Sequence, residues 1–392
     1  MIDLLVIGNH SKPTGFARVL NALCDSLSQY LKIVQIDIDS ERSYQRDNRY
    51  VVGNLKLSDY FGLEAIDLAI LKYRPQAILT CHDCWFMEAI LPVLRRHKVL
   101  KNTFYYCPID MSSIISVHFN TLTSLPNIVF YNDYAINCYK QELKQQDKVI
   151  NQRLKIIGHG VEKSIFYKQR ETKKSIRRRL FPGHERTWEA FLFLNCNRNT
   201  YRKRLDHTIE AFSLYKKAYD STAILIILGE QFGGTFDILG MAEEFGLKDD
   251  ILFLNKDQLQ THLDDKYIAN LYNAVDVCIN TAEQEGWGLI PFEAAACGIC
   301  PILHATPIQM EIWDDNALII ESDMEDSEKF DHHKWVEAFH RLSIDKNFYN
   351  KISNRAYQYA TSTTFDWDNI ALQWVDFIAL SLPDRDIIRR FS

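Results

Sequence analysis

Glu285 and Glu293 stand eight positions apart in the stretch EGWGLIPFE, and what lies between them has the makings of a binding loop. Gly286 and Gly288 flank Trp287, and Leu289, Ile290 and Pro291 lead into an apolar run. Residues 275–279 just before it read as a strand, and proline suits the first turn of the helix that follows. Glycines let backbone amides approach a ligand closely, and a helix N-terminus favours an anion, so the pair suits a phosphate group. Glu293 falls about one turn into the helix, where a carboxylate can accept from two neighbouring hydroxyls. Glu285 precedes the loop on its ligand side. A loop for phosphate with acids for a diol on either side describes a nucleotide-sugar site. The bland alternative is a helix start stabilised by nearby acids.

Two cations support the first reading. Arg198 and Lys203, in NCNRNTYRKRLD, follow a strand over 191–195 and precede an amphipathic helix. At the carboxyl edge of a sheet they would neutralise a departing diphosphate. Arg202 and Arg204 beside them keep a solvated basic loop open as the alternative. In SKPTGFARVL, Gly15 lies between the first strand and the first helix, a place for a substrate-contacting loop, and the spacing is not the GxGxxG of nicotinamide binding. In LTCHDCW, His82 ends another strand, where it would orient a sugar or acceptor hydroxyl or simply pack.

The elements that position these residues are those of an α/β protein, since short apolar runs alternate with helical periodicity. Strands are expected at 2–8, 31–38, 77–81, 103–107, 128–131 and 154–157, then at 191–195, 223–228, 251–254, 275–279 and 300–303. Between the two series runs a basic segment, Arg170 to Arg186, read as a solvated helix. The expected domains are 1–165 and 166–365, with a final helix over about 366–392 returning to the first. Each would be an open, mostly parallel sheet wrapped by helices, and such sheets bind ligands outside the carboxyl ends of their strands. A deep cleft between the two is the expected seat of the substrate.

Composition bounds the rest. The chain has 392 residues with 45 Lys plus Arg against 51 Asp plus Glu, a net charge of −6 that argues against nucleic acid as a partner. No apolar run approaches the roughly 20 residues of a membrane span. The opening MIDLLVIGNH reads as a strand rather than a signal peptide, and nine cysteines without a secretory signal point to a reducing, cytoplasmic setting.

The motifs together resemble retaining glycosyltransferases of family 4, which have the two-Rossmann GT-B fold. EGWGLIPFEAAACG resembles the family's E-x7-E element and NRNTYRKRLD its Arg and Lys phosphate element. TGFARVL resembles the glycine loop, IIGHGVEKSIF the segment joining the domains, and FDWDNIALQW the returning helix. The resemblance implies that Glu293 holds the ribose diol and that Glu285 faces the donor hexose. Gly286, Trp287, Gly288 and Leu289 would offer amides to the sugar and phosphate. Arg198 and Lys203 would grip the diphosphate, Gly15 would close over it, and His82 matches the family's active-site histidine in position rather than motif. Trp287 replaces the family's usual phenylalanine, and HATPIQMEIW lacks the usual Gly-Gly before its acid. The expected activity is hexose transfer from a nucleoside-diphosphate sugar, GDP-mannose before UDP-glucose, to a glycan or other hydroxyl acceptor, with no cofactor and no metal. A nucleotide-sugar epimerase and a non-catalytic sugar-nucleotide-binding module fit the same residues.

Other spacings carry less. Asp37-Ile-Asp39 has the DxD spacing of metal-dependent transferases but ends a strand far in sequence from the donor residues. Cys81-x-x-Cys84 and Cys297-x-x-Cys300 fall in different domains and suit buried packing better than zinc or redox chemistry. His332-His333 reads as the solvated start of a helix. A peripheral membrane contact through the basic segment has no amphipathic insertion helix to support it.

Overall fold

The structure is a computed structural model that describes residues 2–12, 14–219, 221–229, 233–254, 264–321 and 330–381. It divides into two compact units, one of Met1–Gly160 with Thr363–Ser392 and one of Val161–Ser362.

The first unit holds eight strands: β1 (Leu4–Gly8), β2 (Ile33–Asp37), β3 (Tyr44–Arg46), β4 (Arg49–Gly53), β5 (Ala77–Cys81), β6 (Thr103–Cys107), β7 (Asn127–Phe130) and β8 (Arg153–Ile156). They lie in the order β3-β4-β2-β1-β5-β6-β7-β8. All pairings are parallel except β3 with β4. β1, β2, β5 and β6 are buried at every position, as strands covered on both faces must be. The helix Trp367–Ser381 belongs to this unit, and the expected helix beyond Ser381 lies outside the described residues. Its Trp374 meets the Tyr106 ring at 5.0 Å and its Phe377 meets Phe104 at 5.6 Å. The Tyr106 hydroxyl lies 2.7 Å from Nδ1 of buried His159 and donates to the Gly158 carbonyl at 2.8 Å. A Cβ on Gly160 would come within 2.7 Å of the Trp367 ring, so glycine is what lets the joining segment lie against the last helix.

The second unit holds β9 (Leu192–Asn195), β10 (Ile224–Leu228), β11 (Ile251–Leu254), β12 (Val277–Asn280), β13 (Cys300–His304) and β14 (Leu318–Ile320). The order is β11-β10-β9-β12-β13-β14 and every pairing is parallel. The expected basic helix is present with Lys174, Arg178 and Arg179 exposed, and its full solvation is corrected here. It spans Lys173–Leu180, and its Lys173 and Arg177 reach inward to Asp276, at 2.7 Å each. Arg177 also donates to the carbonyls of Ala274 and Ala190, at 2.6 and 2.9 Å, and Asp276 accepts from the Leu192 amide at 2.8 Å. This buried cluster ties the entrances of β9 and β12 together at the sheet edge opposite the loops described next.

Candidate functional site

In the second sheet β9 and β12 are neighbours although β10 and β11 lie between them in sequence. The chain turns one way from β9 and the other way around β12, and such a switch point opens a crevice at the carboxyl ends. Both loops leaving that crevice carry the expected site residues.

Polar side chains bind the two loops into one framework. Asn197 donates to Asn195 Oδ1 at 3.0 Å and to Asn280 Oδ1 at 3.3 Å. Thr281 donates to the carbonyl oxygens of Lys203 and Arg204 at 3.1 and 2.8 Å. Arg202 donates to the Gln284 carbonyl at 2.9 Å and accepts at its own carbonyl from the Glu283 amide at 3.0 Å. At the centre the Lys203 ammonium pairs with Glu285, and both side chains are buried. Asn280 adds a hydrogen bond to the same carboxylate at 3.3 Å, and Arg202 stands 3.8 Å from its other oxygen. Burial pushes the Glu285 carboxyl upward, but the Lys203 and Arg202 charges outweigh it and hold it below its ordinary value. Glu285 is therefore an anion at neutral pH.

The loop then turns at Gly288, whose φ of 91° is in the left-handed region. A Cβ there would meet Gln309 Nε2 at 2.8 Å, so a side chain would displace the Gln309 carboxamide as well as strain the backbone. The helix Leu289–Ala296 starts immediately after it. Trp287 is buried and stacks on Phe292 at 5.3 Å, so its side chain serves packing while Gly286 and Leu289 remain half-buried. Glu293 is 3% exposed and accepts from the Tyr272 hydroxyl at 3.2 Å. Arg198 is exposed and, with Asn199, Thr200, Gly233, Gly234 and Thr235, lines an adjoining cavity of ≈ 360 Å³.

Gly15 and His82 belong to the first unit and its own sheet. Gly15 opens the helix Gly15–Leu27, capped by Thr14, which accepts from the Ala17 amide at 3.1 Å. Phe16, next in line, stacks on the His82 ring at 4.9 Å, and Phe86 stacks on it at 4.5 Å. His82 follows β5 and its Nδ1 accepts from the Asp83 amide at 2.8 Å, which leaves the ring proton on Nε2 as a donor. Burial pushes its pKa down to about 4, against a smaller opposing pull from Asp39. Asp37 accepts from the Ser11 side chain, and Asp39 accepts from Asn9 at 2.8 Å and pairs with Lys12 at 3.2 Å. These two acids therefore hold the loop after β1.

Three participants were not anticipated. Asn280 and Tyr272 orient the two glutamates, and Gln309 lies against Gly288. Gln309 is 1% exposed, and among the described residues neither Oε1 nor Nε2 of its carboxamide has a hydrogen-bond partner. Its signal was the departure in HATPIQMEIW; Tyr272 gave none, being 21 residues from its partner.

Residues 176–359, nearly all of the second unit, match the family model described as Glycosyl transferases group 1. The second unit is a group 1 glycosyltransferase domain. The match agrees with the resemblance carried by the E-x7-E element, which lies inside it. No curated protein sequence matches it. Among solved structures, the chain is similar to sucrose-phosphate synthase from Thermosynechococcus elongatus at 16% identity. That match covers 96% of this chain and 98% of the other, with a TM-score of 0.75. It is also similar to HepE of Anabaena in complex with UDP-glucose, at 14% identity, 97% and 100% coverage and a TM-score of 0.75. WaaG, a glycosyltransferase involved in lipopolysaccharide biosynthesis, matches at 12% identity, 97% and 100% coverage and a TM-score of 0.70. At such identities the likeness is one of fold, and the fold is GT-B.

Proposed function

We propose that the enzyme moves a hexose from a nucleoside-diphosphate sugar to an acceptor hydroxyl, on a glycan, with no metal at the diphosphate. The observation that carries this reading is the buried Lys203–Glu285 pair, fixed by Asn280 and placed just before Gly288 and the helix start. Lys203, already oriented by its partner, takes charge from the diphosphate as it departs, and Arg198 at the adjoining cavity supplies a second cation. Gly286 to Leu289 present backbone amides to the sugar and phosphate. Glu293, held by Tyr272, receives the ribose hydroxyls. Glu285 faces the hexose and stabilises it as positive charge develops at the anomeric carbon, the transition-state character of glycosyl transfer. The leaving phosphate draws the proton from the acceptor on the same face, so the protein contributes position and charge rather than a covalent nucleophile. In the first unit, His82 offers its Nε2 proton to a sugar or acceptor hydroxyl.

GDP-mannose and UDP-glucose are the two donors to separate. UDP-glucose gains support from HepE, solved with that donor, and from the E. coli trehalose-6-phosphate structure with UDP-2-fluoro glucose. Ligands that bind the folded state alone raise apparent stability by mass action. A thermal-shift screen should thus show a rise in Tm with one base, GDP or UDP, and with its sugar. Transfer measured with that donor should survive a chelator. No shift with any nucleoside diphosphate, or transfer lost to chelator and restored by magnesium, overturns the assignment of Lys203 and Arg198.

A further inference from the structure

Behind the donor loops, the helix Leu205–Tyr219 carries His207 and Glu210 one turn apart on one face. The helix His332–Ile344 packs along it, with Tyr215 donating to Ser343 at 3.0 Å and Tyr219 stacked on His340 at 3.6 Å. Its first residue, His332, comes up beside the pair. One ligand atom from each of His207, Glu210 and His332 lies within 4.8 Å of the other two. The expectation that His332 is solvated is corrected: its side chain is 19% exposed and its ring lies 4.8 Å from Phe330.

The hydrogen bonding at this cluster is incomplete. Among the described residues, both ring nitrogens of His207 are buried without a hydrogen-bond partner, and so is His332 Nε2. His207 Nε2 stands 3.9 Å from Glu283 Oε1, beyond hydrogen-bond range. His332 Nε2 stands 3.2 Å from Glu210 Oε2 without the alignment of a hydrogen bond. A neutral imidazole carries one donor and one acceptor, and buried polar groups left unpaired call for an explanation such as an ion. Phe330 stacks flat on His207 at 4.1 Å and 10°, fixing the ring plane.

We propose that His207, Glu210 and His332 bind a zinc ion that clamps these two helices together, at a site made of none of the residues assigned to the donor. Two imidazole nitrogens and one carboxylate oxygen are a zinc ligand set, with water free to complete the tetrahedron. Bonds of about 2.0–2.2 Å require the three atoms to draw in by about an ångström. Glu210, with a side chain 45% exposed, has the freedom to supply that movement and opens the site to solvent. The clamp would fix the helix that begins two residues after Lys203.

The test uses the full chain, stripped by chelator dialysis and titrated with zinc chloride by calorimetry and thermal shift. The expected result is a single tight zinc and a higher Tm, with Glu210→Gln and His332→Asn each weakening the affinity by about tenfold or more. Glu210→Gln removes a half-exposed carboxylate and leaves the packing in place, so it reports on binding rather than folding. Cobalt(II) in place of zinc should give visible d–d bands without thiolate charge transfer, which separates this site from the cysteines. No zinc bound by the wild-type chain, zinc affinity unchanged in both variants, or a thiolate band with cobalt overturns the proposal. Because it reads binding and not transfer, its outcome is independent of the donor assignment.

Discussion

Each of the two glutamates of EGWGLIPFE has its own partner, and the partners predict different losses. Glu293, held by Tyr272, is assigned to the ribose, a contact made alike in ground state and transition state. Glu293→Gln should raise KM and weaken nucleoside-diphosphate binding by about 1–3 kcal/mol while sparing kcat. Glu285→Gln does something else: it releases Lys203 from a buried ion pair while removing the charge proposed to face the hexose. Its affinity for the nucleoside diphosphate should hold or rise, and its kcat should fall. Calorimetry with the diphosphate and steady-state kinetics on both variants decide this; equal damage to nucleotide binding by both would defeat the assignment. The loop itself was legible in the sequence because its meaning is local, with glycines, a helix start and acids within nine residues. The Lys203–Glu285 pair was not, because its members stand 82 residues apart and only the adjacency of β9 and β12 brings them together.

At the scale of elements, the strands that sequence reading found are, β8 apart, those with largely apolar runs, and those it missed are short or polar. β3 and β4 lie in RSYQRDNRYVVGN, joined through a turn with Asp47 at a φ of 46°, and β4 is buried at its first residue by an arginine. That residue, Arg49, donates to Gln35 at 2.9 Å and pairs with Asp25, so its burial rests on tertiary partners that no period can reveal. β14 has three residues. The helix Lys173–Leu180 misled for the same reason, since Lys173 and Arg177 look solvated until Asp276 is placed between them. Removing one member of a buried ionic cluster strands the others. Arg177→Met should therefore cost about 3–5 kcal/mol, read as a lower urea midpoint. A midpoint unchanged from wild type would show that the cluster is dispensable.

For the whole molecule, acid is the condition that tests the burial of its histidines. Burial pushes His82 down to about 4 and His159 to about 3, from 6.5. Unfolded, both take up a proton near pH 6.5; folded, they resist until pH 4 to 3. The unfolded state thus binds more protons across that window, and stability rises with pH through it. The contribution of the neutral rings is complete above pH 6.5 and drains away as pH falls toward 4. Melting temperature plotted against pH should drop over this range, and His159→Asn should flatten the slope whatever it does to the absolute value. An unaltered slope would mean that His159 is not the group that titrates. All nine cysteines are free thiols, and among the described residues no helix is long and apolar enough to cross a membrane.

The first unit is closed by a helix that the chain reaches only after the whole of the second, and this sets an order of events during synthesis. Domains tend to fold as units while the chain emerges from the ribosome. Residues 161–362 are contiguous, so the catalytic domain can complete itself with everything it needs already translated. The first unit cannot. Until Trp367–Ser381 arrives, Phe104 and Tyr106 lack the rings of Phe377 and Trp374, and Gly160 lacks Trp367. For the time it takes to translate some two hundred residues, an aromatic surface meant for the interior faces the solvent, and it is there that a chaperone would find its purchase on the nascent enzyme.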